Sequence, residues 1–229
     1  MKKKYFILLI GFLGLNVFQN AVQAQTGQHE GKREPATIYN IPFASSNNVI
    51  ELTVVNGSSV SPSGIKITAS DLPSWLHLSP GEQELPPFMK SKEAVVMFRF
   101  SVDKTAPVDE NDTLRFLISA PTGDIWTKEI YITVDQPEKF ELFQNYPNPF
   151  NPTTVISYQL PVSSWVMINV YNVLGQQVAT LVDDHREPGY HEETWNAVDM
   201  ASGIYFYQLS VISTGESRIF ERRAMVLLK

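Results

Sequence analysis

The 229-residue sequence contains no cysteine. That absence excludes a disulfide-bonded scaffold, a thiolate metal site, a cysteine nucleophile and a lipid-modified N-terminal cysteine. Basic residues are outnumbered, since 18 lysines and arginines stand against 24 aspartates and glutamates, for a formal net charge of −6. Nucleic acid is therefore not expected as a partner, because phosphate binding needs a clustered basic surface.

Motifs that carry catalysis are also missing. There is no GxSxG nucleophile elbow, and no glycine-rich phosphate loop follows residue 24. His29 lies in a polar segment, and His77 is expected to face solvent. His191 begins the sequence HEETW. A zinc-binding HExxH helix has its second histidine at the position that Trp195 occupies here. His185 and His191 flank a Pro-Gly turn and are not expected to converge on a metal. We therefore expect a non-enzymatic protein with no catalytic residue, no metal and no cofactor.

The acidic stretch Asp109-Glu110-Asn111-Asp112 is the other candidate for cation binding. It lacks the spacing and the glycine of an EF-hand loop, so a solvated hairpin tip is the expected structure. The tripeptide Asp112-Thr113-Leu114 resembles the Asp-Ser/Thr-aliphatic acceptor for O-linked glycans. This makes Thr113 a candidate modification site.

The first 24 residues are typical of an export signal. Three lysines at positions 2–4 precede residues 5–18, which carry no charge and are almost all apolar. This run of 14 residues is shorter than the ~20 that a membrane-spanning helix needs, so no transmembrane anchor is expected. Small residues at Val22 and Ala24 fit a signal-peptidase site, which predicts cleavage after Ala24. The predicted partners are signal peptidase and the general export machinery.

The rest of the chain predicts an all-β protein with two domains. Residues 25–37 contain little to bury and are expected to form a disordered leader. Over residues 38–134, seven short β-rich runs alternate with turn-forming breaks, and Ile50, Leu52 and Val54 show the period of two of a half-buried strand. This pattern predicts an immunoglobulin-like β-sandwich. The segment also loosely resembles bacterial immunoglobulin-like modules appended to secreted enzymes, through VVNGSS, LPSWL and IWTKEIYITV.

A second sandwich is predicted after a short linker. Residues 135–139 are polar, contain Pro137 and form the predicted linker. Six further strand-like segments then follow within residues 140–229. The predicted fold class is therefore all-β, with two tandem immunoglobulin-like β-sandwiches after an N-terminal signal peptide.

The segment Asn145–Thr154, NYPNPFNPTT, is rich in proline. Proline lacks the N–H that a central strand donates, so the segment is expected at a sheet edge or leading into the first strand. It is followed, in this order, by VISYQLP (155–161), VYNVLGQQVATL (170–181), GYHEETWNA (189–197), ASGIYFYQL (201–209) and MVLLK (225–229). Together these motifs resemble the type A C-terminal sorting domain of the type IX secretion system, an immunoglobulin-like β-sandwich similar to flagellar hook-capping domains.

The resemblance implies a route and a set of site residues. Such proteins reach the periplasm through an N-terminal signal, and a type IX translocon then reads the terminal domain and carries them to the cell surface or the medium. A surface peptidase commonly removes the domain. By the family pattern, the sorting-signal residues of this chain are Asn145, Pro147, Pro149, Gly175, Gly203, Tyr205 and Lys229.

The role of the passenger, residues 38–134, stays open among several alternatives. A binding, adhesive or structural module with an unknown surface ligand is expected first. A carbohydrate-binding accessory protein is the second alternative, because exposed aromatic side chains stack on sugars. The four tryptophans lie in strand-like runs, however, and are expected in the core: Trp75, Trp126, Trp165 and Trp195. The third alternative, an enzyme, would require a cleft that the short loops do not suggest. For the whole chain, the alternative to sorting is a periplasmic structural protein whose hook-cap-like domain has no sorting role.

Overall fold

The protein is all-β, as the sequence predicts. The computed structural model describes residues 7–14, 37–56, 63–87, 93–213 and 219–229, and within these ranges it contains sixteen strands in four sheets and no helix. No helix of this part of the chain could therefore span a membrane. The chain divides into two compact units, Met1–Asp135 and Gln136–Lys229.

The first unit has nine strands among its described residues. They are β1 (Ile7–Gly14), β2 (Ile38–Ile41), β3 (Asn48–Asn56), β4 (Ile65–Ser70), β5 (Leu76–Ser79), β6 (Glu82–Leu85), β7 (Glu93–Val102), β8 (Asn111–Ser119) and β9 (Ile125–Val134). One sheet has the order β1-β3-β7-β5 and the other β2-β9-β8-β4-β6. The strand pairs are antiparallel except for β2 and β9, which are parallel.

The core of the first unit lies between its two sheets. Ile50, Leu52 and Val54 of β3 are fully buried, which confirms the predicted period of two. Phe98 of β7 meets Phe116 of β8 across the interior with a distance of 5.1 Å between ring centroids. Alternating apolar side chains from both sheets thus form one continuous core.

Two strands of this unit lie where the sequence suggested none. The segment 79–87 looks like a turn, yet its polar residues 82–85 form edge strand β6, where Glu82 bonds to Lys66 of β4 over 2.9 Å. Apolar periodicity cannot reveal such a strand, because cross-strand polar pairs stabilise it. Strand β1 lies within the predicted export signal and pairs with β3 from Ile7↔Asn56 to Gly14↔Val49. Ala24 lies outside the described residues, as does the predicted leader apart from Thr37.

The acidic stretch at 109–112 also differs from the predicted hairpin tip. It joins β7 of one sheet to β8 of the other, and Asn111 and Asp112 already belong to β8. The N–H of Asp109 donates to the carbonyl oxygen of Val134 over 3.0 Å. The clustered charges suggested a turn correctly, but its partner strand cannot be inferred from charge.

The second unit has seven strands among its described residues. They are β10 (Glu141–Leu142), β11 (Thr153–Leu160), β12 (Ser164–Asn172), β13 (Gln177–Arg186), β14 (Gly189–Asn196), β15 (Gly203–Ser213) and β16 (Ile219–Leu227). They form a three-stranded sheet, β10-β11-β14, and a four-stranded sheet, β13-β12-β15-β16. Buried side chains of both sheets, including Ile156, Ile168 and Leu209, form its core.

The tryptophans do not all lie in the cores. Trp75 and Trp195 are buried, and Trp126 is half-buried against the first core. Trp165 is 45% exposed, so its predicted burial is wrong. The strand SWVMINV is apolar on both faces, and its pattern cannot say that Val166 rather than Trp165 points inward.

Candidate functional site

The proline-rich segment begins at a buried asparagine. Asn145 is only 2% exposed, and its backbone N–H donates to the hydroxyl oxygen of Tyr207 over 2.8 Å. The Tyr207 hydroxyl in turn donates to the carbonyl oxygen of Phe143 over 2.7 Å. Burial raises the pKa of Tyr207 to about 12, so this hydroxyl keeps its proton at neutral pH. Tyr207 therefore ties the segment that leads into β11 to strand β15.

The Asn145 side chain shapes the first turn of the segment. Its amide donates to the carbonyl oxygen of Pro147 over 3.0 Å and to the hydroxyl oxygen of Thr154 over 2.9 Å. The Thr154 hydroxyl donates to the same Pro147 carbonyl over 2.8 Å. The peptide bonds before Pro147 and Pro149 are cis. The prolines and the asparagine of the motif thus build one compact, hydrogen-bonded loop.

The same segment then pairs with the last strand of the chain. The N–H of Phe150 donates to the Val226 carbonyl over 2.9 Å, and the N–H of Leu228 donates to the Phe150 carbonyl over 3.0 Å. The N–H of Val226 donates to the side-chain oxygen of Asn148 over 2.9 Å. The segment therefore lies at a sheet edge, as predicted. The prediction did not include its partner, since the segment pairs with the free edge of β16.

Strand β10 continues this closure of the β16 edge. The N–H of Leu142 donates to a carboxylate oxygen of Glu221 over 3.0 Å, and the guanidinium of Arg223 donates to the Leu142 carbonyl over 3.1 Å. The side chain of Gln144 donates to the carbonyl oxygen of Ala224 over 2.8 Å. The beginning and the end of the unit are thus joined from Glu221 to Leu228, which protects an otherwise exposed edge.

The predicted glycines lie at one end of the four-stranded sheet. Gly175 has φ +75° in the turn between β12 and β13, where its N–H donates to the Asn172 carbonyl over 3.0 Å. Gly203 begins β15 with φ +157° and lies opposite Leu227 of β16. Asn172 lies opposite Tyr205, so both glycines belong to the same end of the sheet.

Tyr205 and Lys229 belong to this end as well. Tyr205 is buried against Trp195 and donates its hydroxyl to the Ala201 carbonyl over 2.8 Å. The backbone N–H of Lys229 donates to the Ser202 hydroxyl over 3.0 Å, and its ammonium group donates to the Val198 carbonyl. Asn145, Tyr205 and Lys229 thus make hydrogen bonds that hold the two ends of the unit, whereas Gly175 lies apart from them in the β12–β13 turn.

A comparison with family models identifies this unit. Residues 144–219 match the family model described as secretion system C-terminal sorting domain. The predicted resemblance to the type IX sorting family is thereby confirmed. The match describes this part of the chain as a C-terminal sorting domain of a secretion system.

Comparison with solved structures adds only weak likenesses. Dimeric latent PorU from Porphyromonas gingivalis is 13% identical with a TM-score of 0.34, over 97% of this chain and 20% of that one, so the present chain spans about a fifth of its length. The YadV chaperone is 8% identical with a TM-score of 0.31, over 82% of this chain and 98% of that one. A tetra-tandem repeat of a large adhesion protein is 15% identical with a TM-score of 0.31, over 80% and 45%. These scores carry no argument about function. No curated protein matches the chain.

The residues that sequence reasoning missed in the sorting domain are the partners of the motif. Tyr207, Asn148 and Glu221 each bond across a long sequence separation, to Asn145, Val226 and Leu142 respectively. Tyr207 follows Tyr205 at the period of a strand, which predicts its burial, but no local signal identifies the partner of its hydroxyl.

The histidines of the two units have different surroundings. The side chain of His77 is 61% exposed, which confirms its predicted position, whereas His29 lies outside the described residues. His191 stacks on Tyr158 with a centroid distance of 5.1 Å, and its Nε2 lies 2.8 Å from the Glu187 carbonyl oxygen. Among the described residues, no three histidine or carboxylate side chains are grouped to hold a metal ion.

The candidate glycan acceptor lies near the start of β8. Thr113 is half-buried opposite Tyr131 of β9, and its N–H donates to the Asp112 carboxylate over 2.7 Å. Glycosylation of Thr113 stays a prediction.

Proposed function

We propose that the chain is a non-enzymatic exported protein whose C-terminal unit is an address for type IX secretion. The family match over residues 144–219 supports this most directly. The unit also joins its first residues to its last strand, so it offers the export machinery a folded and closed domain. Residues 140–229 are the proposed sorting domain, and residues 135–139 are the proposed linker.

The passenger proposed for delivery is residues 38–134. Its proposed role is that of a binding, adhesive or structural module, and the lack of catalytic motifs in the sequence supports a non-enzymatic role. The tryptophans of this unit do not favour sugar stacking, because Trp75 is buried and Trp126 is half-buried. We propose an immunoglobulin-like sandwich for each unit, since in each of them two mainly antiparallel sheets enclose one core.

The proposed route begins with residues 1–24 as a signal peptide that is cleaved after Ala24. The basic residues, the apolar run and the small residues before the cleavage position support this step. The chain then passes through the periplasm to the type IX translocon and its surface peptidase.

Localisation in the native host tests the sorting role. The full chain is expected at the surface or in the medium, and a chain that lacks residues 140–229 is expected in the periplasm. A full-length chain with the exposed Thr194 replaced by alanine (T194A) is the control, and it should behave as the unaltered protein. Protease resistance of the truncated passenger should establish that it still folds. Export of the truncated chain at an unchanged level would contradict the proposal.

A further inference from the structure

The outer face of the four-stranded sheet of the C-terminal unit is unusually apolar. Strand pairing places Trp165 beside Ile212, and Tyr171 beside Phe206. Ile204 lies at one end of β15, and Phe220 of β16 lies opposite Ser210. We name this surface the aromatic face, formed by Trp165, Tyr171, Ile204, Phe206, Ile212 and Phe220.

Four of these side chains are well exposed to solvent. The exposed fraction is 45% for Trp165, 50% for Ile204, 40% for Ile212 and 56% for Phe220. On the solvent-exposed face of an antiparallel sheet, most side chains are usually polar and the apolar ones are scattered singly. Trp165, Ile212 and Phe220 lie near one end of the face and Ile204 at the other, with the polar row Asn169, Gln208 and Arg222 between them. Exposed apolar side chains at both ends of one sheet face indicate a surface that another molecule covers.

The other sheet of the same unit provides an internal comparison. On its outer face, Thr153 lies opposite Asn196, Val155 opposite Thr194, and Ser157 opposite Glu192. Five of these six residues are polar or charged, which is ordinary for a solvated sheet. Because the two faces belong to one domain and one cellular environment, the difference between them points to a role for the aromatic face.

Among the described residues, Arg222 is the cation in the middle row of the aromatic face. Arg222 lies opposite Gln208 and donates to its side-chain oxygen over 2.8 Å, and its guanidinium carbon is 5.9 Å from the centroid of the Tyr171 ring. Among the described residues, no carboxylate lies within ion-pair distance of Arg222. An arginine held beside apolar side chains matches a partner that carries a carboxylate within an apolar surface.

The size of the face limits how tightly it can bind. The face is three strands wide, at ~4.8 Å for each strand. Its length is the eight residue steps of ~3.3 Å from Ile204 to Ile212, so its flat area is about 400 Å². Covered by an equal area of a partner, this amounts to about 800 Å² in total, which is below the range of stable complexes and within that of transient ones. A second copy bound through this face alone would not form a stable dimer.

We propose that the aromatic face is the surface through which a protein of the export machinery transiently binds this unit, by an acidic and apolar patch of its own. The inference rests on the proposed sorting function and names the side of the domain that is read. The proline-rich loop and its partners then act as positioning residues, since they hold β16, and with it Phe220 and Arg222, in place.

Export of single variants of the full chain in the native host tests this surface. F220S and R222E are expected to lower the exported fraction by about tenfold, with the protein retained in the periplasm. R222K keeps the positive charge and should be exported like the unaltered chain. The matched controls are I125S and R99E in the first unit, because Ile125 is 67% exposed and Arg99 is exposed as well.

The melting temperature of each purified variant separates a lost surface from a lost fold. Because Phe220 and Arg222 are exposed, unchanged melting temperatures are expected. If F220S melts earlier than the unaltered chain, W165S and I204S take its place, since both remove an exposed side chain of the same face. Normal export of folded F220S and R222E would overturn the inference. Retention of F220S with normal export of R222E would overturn the acidic chemistry of the partner.

Two further measurements test the kind of partner. The purified full chain should sediment as a monomer at micromolar concentration and should not pellet with vesicles of anionic phospholipid. A dimer or vesicle binding that F220S abolishes would overturn a protein partner in favour of a second copy or a lipid surface.

Deletion of residues 140–229 distinguishes a failure of the sorting function from a failure of the inference about the aromatic face. If the truncated chain is exported, the sorting function fails; if it is retained while F220S and R222E are exported, only the inference fails.

Discussion

Two tyrosines in the core of the sorting domain differ in the partners of their hydroxyl groups. Tyr207 donates to the Phe143 carbonyl and accepts the N–H of Asn145. Tyr158 is fully buried as well, yet among the described residues its hydroxyl has no hydrogen-bond partner. A buried polar group stabilises a fold only where it is hydrogen-bonded, so these two phenols make opposite contributions.

The same substitution at the two positions should therefore have different effects. Y207F leaves a buried N–H and a carbonyl without their partner and should lower the free energy of unfolding of this unit by about 1–3 kcal/mol. Y158F removes a group without a partner and should change it by less than about 0.5 kcal/mol, or raise it. Native-state hydrogen exchange of core amides in β12 and β15 measures both values. Equal destabilisation by the two variants would contradict the account.

The two tyrosines also predict a loss of stability at alkaline pH. Burial raises the pKa of Tyr158 and of Tyr207 to about 12 each, against ~10 in an unfolded chain. Because the pKa is higher in the folded state, the unfolded chain releases these two protons first as the pH rises. The contribution of these groups to the free energy of unfolding is therefore fully present below pH ~10 and is lost as the pH rises towards 12.

Comparison of variants isolates this effect from other groups that titrate at high pH. The free energy of unfolding of the C-terminal unit should fall with pH above ~10, and it should fall less steeply in Y158F, because one raised pKa is removed. The measurement is denaturant unfolding at pH values from about 9 to 11.5. An identical slope in Y158F and the unaltered chain would count against a raised pKa for Tyr158.

At the scale of elements, the proline-rich loop and strand β16 depend on each other. Asn148 accepts the Val226 N–H, and Phe150 exchanges backbone hydrogen bonds with Val226 and Leu228. The sequence predicted that the prolines keep this segment out of a central strand, because proline lacks an N–H. Its pairing with a strand nearly eighty residues later could not be predicted, since nothing in a single sequence encodes that register.

Substitution of Asn148 should loosen the end of β16 without unfolding the unit. N148A removes the acceptor of the Val226 N–H and should speed hydrogen exchange of that amide by about fivefold, as for a lost bond of roughly 1 kcal/mol. Asn151 lies in the same loop, is exposed and provides the control N151A, which should leave the exchange unchanged. Protection of the Val226 amide at its original level in N148A would show that this hydrogen bond is not what holds the strand end.

Other elements show which signals a single sequence carries. The alternation of Ile50, Leu52 and Val54 predicted a buried face correctly, because polar residues separate the apolar ones. Trp165 was misplaced, because β12 is apolar on both sides and its pattern fits either orientation. Strand β6 was missed, because its polar residues pair with β4 at a sheet edge and bury only Leu85.

At the scale of the whole molecule, the two units differ in how far the sequence defines them. The terminal unit has motifs specific enough for its family to be predicted, and the match over residues 144–219 confirms it. Its candidate residues were predicted from the same motifs, but the structure shows that Asn145 and Tyr205 are buried and support the fold. A surface that a partner reads is visible only once strand pairing shows which side chains share a face. The first unit offers an all-β framework without a motif that specifies a ligand.

The boundary between the units bears on how the address could be removed. Asp135 is held in the first unit, where its N–H donates to the Ile41 carbonyl and its carboxylate accepts from Asn40. Lys139 is held in the second unit, where its carbonyl oxygen accepts from the side chain of Gln159 over 3.3 Å. A peptidase that removes the sorting domain at the proposed linker thus has few residues to act on. The expected cut therefore lies within residues 135–140.

The most direct test of the sorting role is the C-terminal sequence of the native exported protein. The host is fractionated, and the form at the surface or in the medium is analysed by mass spectrometry of the intact chain and its terminal peptides. The account predicts an exported form that ends within residues 135–140, with the address removed. A full-length chain ending at Lys229 and confined to the periplasm would contradict it.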